Sequence, residues 1–269
     1  MGGGAVGTLS PVSRLRAKCP DCQTYTAVAL GPEYQCHSCG REFAAGLVRV
    51  PRAWGEGGEA MAEAAHLPFD YPEAAVVEED SLADQNLAIA AELPDRPLVL
   101  GGCCSAHVGA LEGLSARHEQ LALVWLDAHG DLNTPATSPS GNVWGMPLRM
   151  IIDSGMVQPE NVALIGARNL DPPEETFIGE NGIHTGPDAV DRVLEDCSCV
   201  YVAFDVDSLD PGEITPFMPE PEGLTLDEVE RLFVDLRGRS SIVGAGLSGL
   251  APDPDNVARL ERLTHALGL

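Results

Sequence analysis

Two short clusters stand out for chemistry: Asp127-Ala-His129-Gly-Asp131 and Asp205-Val-Asp207-Ser-Leu-Asp210-Pro211. Each follows a short apolar run, LALVWL at 121–126 and VYVAF at 200–204. Runs of this length, rich in Val and aromatics, read as buried strands. Carboxylates and an imidazole at the end of such a strand place costly charge at the rim of a core, and a bound cation is the usual compensation. Mixed Asp and His donors suit Mn²⁺, Zn²⁺ or Fe²⁺ better than Ca²⁺, which favours all-oxygen cages. Any one of these residues alone could equally cap a turn or helix. Grouped at two strand ends, Asp127, His129, Asp131, Asp205 and Asp207 point to a metal site where open parallel sheets bind their ligands.

A second metal pattern lies near the front. Cys19-Pro-Asp-Cys22 and Cys36-His-Ser-Cys39-Gly40 are separated by thirteen residues, the two-knuckle spacing of a structural zinc site. The pattern resembles a zinc ribbon over residues 17–44, with His37 a bystander. The bland alternative is two unrelated thiol pairs or a redox pair. Cys197 and Cys199 read as small apolar thiols near the core.

The elements that must position the acidic clusters follow from the apolar pattern. Strands are expected at 47–50, 97–100, 121–126, 162–165, 200–204 and 241–245. Helices are expected from about 105 to 118, near 145–153 and 188–195, from the capping box Thr225-Leu-Asp-Glu228 to about 236, and from about 255. Residues 59–95 give mixed signals and no finer assignment. Alternating strands and helices imply a parallel sheet covered on both faces. The 269 residues leave room for one large α/β domain, 46–269, beside the ribbon.

The formal charge of −25 is uneven: residues 1–50 carry five basic and three acidic side chains, so the rest is more acidic still. Such a surface repels nucleic acid and anionic membranes. No apolar run is long enough to span a bilayer. The N-terminal residues lack the apolar stretch of a signal peptide, and the expected location is cytoplasmic, with reduced thiols.

The motifs resemble those of the arginases and their relatives, the ureohydrolases. Trp125-Leu-Asp127-Ala-His129-Gly-Asp131-Leu-Asn133-Thr-Pro and Phe204-Asp205-Val-Asp207-Ser-Leu-Asp210-Pro211 are similar to the family's two metal motifs, and Gly101-Gly102-Cys103-Cys104-Ser105 occupies the place of its Gly-Gly-Asp-His-Ser motif. The resemblance implies a three-layer αβα sandwich with a mostly parallel sheet and one or two ions, usually Mn²⁺, with Zn²⁺ or Fe²⁺ as alternatives. Asp127 and Asp205 would bridge the ions; His129 and Asp207 would complete one shell, Asp131 and Cys104 the other. His129 and Asp131 would also serve catalysis, in which hydroxide attacks an amidine carbon and releases urea or an analogue. Asn133, Ser138, Ser140 and Asn142 match the segment that holds a substrate α-carboxylate, and Asp171 and Glu174 the one that holds its α-ammonium. The implied substrate is a small amino acid, and the implied assembly a homo-oligomer, a trimer or hexamer.

The departures lie at the reacting end. Cys104 replaces the family's metal-binding His, and a thiolate suits manganese poorly. Trp144 stands where arginases carry a His, and indole cannot titrate near neutrality, though it could hold a cation against its face. The late Glu that pairs with the guanidinium has no counterpart within 244–250, and Met218 sits near a position usually held by Thr. Two readings result: a hydrolase of a linear amidine or guanidino amino acid, or a catalytically altered relative that binds an amino acid and uses the ribbon as an interaction module. A ribbon protein acting on RNA or a protein complex is a third, disfavoured by the acidic main domain. The related deacetylase fold carries different motifs.

Overall fold

A computed structural model describes residues 16–17, 19, 21–22, 24–30, 33–43 and 46–269. The residues read for a leader, 1–15, lie outside these, as do parts of the ribbon segment, including its expected boundary at 44.

Four short strands form an antiparallel sheet at the front: β1 (Arg16–Ala17), β2 (Ala27–Leu30), β3 (Glu33–Cys36) and β4 (Glu42–Phe43). The rings of Tyr34 and Phe43 stack across β3 and β4 with centroids 6.1 Å apart. This small sheet rests on the main domain: buried Cys19, Ala27, Tyr34 and Cys36 belong to the same apolar cluster as Val48 and Val99. Tyr25 also donates its hydroxyl to Glu73 Oε1 at 3.1 Å.

The main domain is built on eight strands: β5 (Leu47–Val50), β6 (Glu73–Val76), β7 (Leu98–Gly101), β8 (Leu121–Leu126), β9 (Val162–Ile165), β10 (His184–Thr185), β11 (Cys199–Asp205) and β12 (Ser241–Ser248). Their order is β10-β9-β8-β11-β12-β7-β5-β6, and every neighbouring pair is parallel. Side chains alternate across the sheet, as the strand period requires. On β8, Leu121, Leu123 and Trp125 pack to one face while Ala122, Val124 and Leu126 pack to the other. On β11, Tyr201 and Ala203 join the first face; Val200, Val202 and Phe204 join the second.

Helices cover both faces. α2 (Leu82–Glu92), α3 (Ala106–Ser115) and α4 (Pro147–Asp153) contribute to the first layer; α6 (Ala189–Asp196), α7 (Leu226–Arg239) and α8 (Asp255–Ala266) contribute to the second. Short α1 (Glu59–Ala64) and α5 (Pro172–Asn181) complete the set. The result is the expected three-layer αβα sandwich. Among the described residues, no helix is long and apolar enough to cross a membrane.

Residues 59–95, left unassigned above, hold α1, β6 and α2. α2 lacks a broad apolar stripe: Leu87 is exposed, and the buried positions are Gln85 and Ile89. It packs instead by close approach to α3. A Cβ on Gly109 would lie 2.8 Å from Ile89 Cβ, and one on Gly113 2.7 Å from Leu93 Cδ1. Backbone proximity replaces side-chain periodicity here, so the apolar pattern carries little signal.

Phe204 ties this packing to the acidic strand ends, because it immediately precedes Asp205 and meets Phe233 of α7 edge-on at 5.7 Å. Both rings are fully buried. Phe233→Ala is expected to cost about 3–5 kcal/mol, read as a lowered urea midpoint. A loss below about 1 kcal/mol would show that α7 does not anchor this part of the sheet.

Candidate active site

The four central neighbours β8, β11, β12 and β7 end together, and their C-terminal ends deliver the polar residues. Asp127–Asp131 follow β8, Asp205 ends β11, Cys103 and Cys104 follow β7, and Ser248 ends β12. Two triplets of donor atoms converge there, each within 4.8 Å: Cys104, Asp127 and Asp131, and Asp127, His129 and Asp207. Asp127 belongs to both. Asp205 borders the first, since Cys104 Sγ–H donates to Asp205 Oδ2 at 2.8 Å.

Each carboxylate is held by local bonds. Trp125 Nε1 donates to Asp127 Oδ2 at 3.1 Å, and the His129 backbone N–H to Asp127 Oδ1 at 2.8 Å. Asp205 Oδ1 accepts from the Asp207 N–H, and Asp207 Oδ1 from the Ala128 N–H, both at 3.0 Å. His129 Nδ1 lies 3.1 Å from Asp207 Oδ2, and its Nε2 3.6 Å from Glu220 Oε1. Asp131 sits at φ 50°, a left-handed conformation costly for a non-glycine residue. Its Oδ2 is buried and has no hydrogen-bond donor.

Burial dominates the electrostatics. It raises Asp127 and Asp131, pushes Asp205 up to about 7 and Asp207 up to about 6, with neighbouring carboxylates adding to each. Burial and the charges of Asp205, Asp131 and Asp127 also hold the Cys104 thiol well above its ordinary range. Burial opposes the cationic form of His129, but hydrogen bonds and charge from Asp127 and Asp207 outweigh it and push the group up to about 12. Crowded acids stabilise whichever positive charge is present. The orphaned Asp131 oxygen and the O, N and S donors of the two triplets fit a pair of dications better than they fit protons alone.

A cavity of about 260 Å³ opens over these groups. Asn133, Ser138, Ser140 and Asp171 line it, as do Glu174, Trp144, Phe217 and Met218. Asn133 Nδ2 donates to Asp171 Oδ2 at 2.8 Å. Glu174 is committed to the backbone: Oε1 accepts from the Leu132 N–H and Oε2 from the Asp171 N–H, both at 2.9 Å. It therefore stiffens the loop that ends in Asn133. Asn142 is not among the lining residues; its Oδ1 accepts from the Glu56 N–H and ties this loop to the glycine-rich one. Trp144 meets Phe217 edge-on at 6.2 Å, and a Cβ on Gly55 would collide with its ring at 2.2 Å. The indole is thus wedged in place.

In the front sheet, the four sulfurs of Cys19, Cys22, Cys36 and Cys39 lie within 4.8 Å of one another. Backbone N–H groups of Cys22 and Ser38 point at Cys19 and Cys36 Sγ, both at 3.4 Å. His37 is exposed and outside the group.

The family profile described as "Arginase family" matches residues 57–267. The chain belongs to the arginase family. The arginase of Bacillus subtilis (strain 168) is 39% identical over 142 residues, covering 44% of this chain and 48% of the relative. In such matches the chain spans about half the length of the curated relatives. Among solved structures, the Bacillus caldovelox arginase superposes with a TM-score of 0.68 at 26% identity, over 83% of this chain and 97% of that one. The Bacillus subtilis formimidoylglutamase, at 17% identity and a TM-score of 0.65 over 83% and 86%, shares the fold.

Several residues of this arginase-family site escape sequence reasoning. Arg168 donates to the carbonyls of Gly166, Asp207, Glu220 and Pro221 at 2.8–3.0 Å, pinning the segment after β11. Asn169 Nδ2 donates to Glu220 Oε1 at 3.1 Å. Behind Asp205, Ser248 Oγ donates to Oδ2 at 3.2 Å, and His107, fully buried, bridges Ser248 Oγ and Tyr201 Oη at 3.1 Å each. Burial lowers His107 to about 3, so its ring is neutral; both its nitrogens are engaged by Ser248 and Tyr201, and it stands in neither donor triplet. Gly249, at φ 68°, lines the cavity; a Cβ there would meet Asp205 Oδ1 at 2.1 Å.

The raised carboxylates set a pH dependence. Asp205 and Asp207 titrate near 7 and 6 in the folded chain, above about 3.9 unfolded. The stability they contribute is present below the unfolded value and lost as pH rises through about 6 to 7. The metal-stripped protein is expected to melt at falling temperature from about pH 5 to about pH 8. Asp205→Asn should flatten that slope, and added Mn²⁺ or Zn²⁺ should offset it. A melting temperature that climbs with pH in the stripped protein would contradict the assignment.

Proposed function

We propose that this chain is a metal-dependent hydrolase of a linear amidine or guanidino group carried by an α-amino acid, releasing urea or an analogue. The observation that carries the reading is the pair of donor triplets sharing Asp127 at the floor of a cavity whose rim bears Asn133, Ser138, Ser140 and Asp171. Asp127, His129, Asp131, Asp205 and Asp207 would hold one or two ions, with Cys104 a sixth ligand. Bound dications would supply Lewis acidity and bring the pKa of water at the site toward neutrality.

The protein's own groups do the rest. Asp131 would hold an ion through Oδ2, its buried oxygen without a protein donor, and so help to place the attacking water. His129, neutral when an ion replaces its proton between Asp127 and Asp207, would complete that ligand set, with its Nε2 facing Glu220. Asn133, Ser138 and Ser140 offer neutral donors to an α-carboxylate, and Asp171 an acceptor to an α-ammonium. Trp144 and Phe217 form an apolar wall that excludes water from the reacting end. Glu174 acts through the loop it braces.

Residues 17–44 are assigned as a structural zinc ribbon held by Cys19, Cys22, Cys36 and Cys39, and 46–269 as the hydrolase domain. A homo-oligomer in a reducing, cytoplasmic setting completes the reading; reduced thiols fit that compartment. Trp144 and Gly249 favour a second reading in particular: an amino-acid binder without turnover, since neither supplies a titratable group at the reacting end.

A panel of guanidino and formimidoyl amino acids with Mn²⁺, Zn²⁺ or Fe²⁺ separates the two. Turnover is expected with α-amino acids and poor with agmatine, which lacks the carboxylate. Asp127→Ala should lower it by at least about 10³-fold, the several kcal/mol that metal activation contributes. Undiminished turnover in that variant would sink the hydrolase assignment; tight calorimetric binding with no turnover would establish the binder.

A further inference from the structure

We propose that the two metal positions are chemically unlike: the one bounded by Cys104, Asp127 and Asp131 takes a thiophilic dication of the zinc class, while the one bounded by Asp127, His129 and Asp207 takes a manganese-class ion. This rests on the reading that both triplets hold metal. The first position offers a sulfur donor and two carboxylates; the second offers an imidazole and two carboxylates, with no sulfur. Thiolate selects zinc and iron, whereas carboxylate oxygens suit manganese, and the second position lacks the sulfur that would disfavour it.

The sulfur is placed for the role. Cys104 is buried, its Sγ is 2.8 Å from Asp205 Oδ2, and it shares its triplet with Asp131, whose buried Oδ2 has no protein partner. A side chain nine-tenths buried and left with an unpaired oxygen points to an ion at that position. The neighbouring thiol does not compete. Cys103 Sγ is 3.0 Å from Ser105 Oγ and accepts from the Trp54 N–H at 3.5 Å, and it belongs to neither triplet. The shared Asp127 couples the positions, so filling one with the wrong ion would disturb the other.

The test uses the full-length chain, stripped of metal and reloaded from a metal-buffered solution in which free Mn²⁺ exceeds free Zn²⁺ by several orders of magnitude, offsetting the general preference of nitrogen and oxygen sites for zinc, with metal counted by plasma mass spectrometry. The wild type is expected to retain about one manganese and two zinc per chain, one zinc belonging to the ribbon. Cys104→Ser should lose about one zinc equivalent while keeping the ribbon's. Cys104→His should exchange that zinc for a second manganese. Cys103→Ser should change nothing. Circular dichroism establishes that each variant is folded, and a Co²⁺ titration gives an independent reading: the sulfur-to-cobalt absorption near the ultraviolet edge should fall in Cys104→Ser by the share one thiolate contributes. Two manganese ions in the wild type, or a zinc count indifferent to Cys104→Ser, would overturn the asymmetry alone. Finding no ion beyond the ribbon's would overturn it together with the reading beneath it.

Discussion

Four aspartates crowd the ends of β8 and β11 with almost no water to share their charge. Asp127, Asp131, Asp205 and Asp207 are each at most 5% exposed. Like charges about 4 Å apart repel by roughly 4 kcal/mol even at an effective dielectric near 20. Such a cluster persists only if protons or cations neutralise it. Part of the relief comes from His129, part from backbone N–H groups aimed at the carboxylates, and part from the Cys104 and Ser248 protons on Asp205. One oxygen, Asp131 Oδ2, receives none of this. Most other features of the molecule hold that arrangement in place or give a substrate access to it.

The parallel sheet does the holding. It carries buried apolar side chains on both faces and sends its strand ends to one edge, so the polar cluster forms without interrupting the core. Arg168 then fixes the segment after β11 through the carbonyls of Asp207, Glu220 and Pro221, and Glu174 fixes the turn after β8 through the Leu132 N–H. Gly249 is required where it stands, for both its left-handed φ and the closeness of Asp205. A residue lacking a side chain at the cavity wall thus reflects the packing of Asp205.

Much of this was legible along the chain. Strands β5, β8 and β9 lie where uniform apolar runs put them, and the Thr225 capping box opens α7. The acidic residues that converge were all visible as two motifs. What the sequence hid shares one physical cause: contacts without local pattern. α2 packs through the glycines of α3, β10 has two residues, and β6 is a short Ala-rich strand. Glu220, Asn169, Ser248 and Tyr201 reach the site through partners 43 to 141 positions away or through another side chain, and nothing in their immediate neighbours announces it. The motif presents Glu174 as a substrate contact; the two backbone bonds it also accepts appear only in three dimensions.

Asn133, Ser138, Ser140 and Asp171 share one cavity with Cys104, Trp144 and Gly249. The central claim beneath every functional statement is that the acidic strand ends enclose metal. Anomalous diffraction from crystals of the full-length protein, collected at the manganese and zinc edges, tests it most directly. Peaks are expected about 2.0–2.3 Å from carboxylate oxygens of Asp127, clearly separate from any sulfur-bound peak at the front four cysteines. A map with the ribbon peak alone, and Asp127, Asp131 and Asp205 bridged only by protons or water, would contradict it.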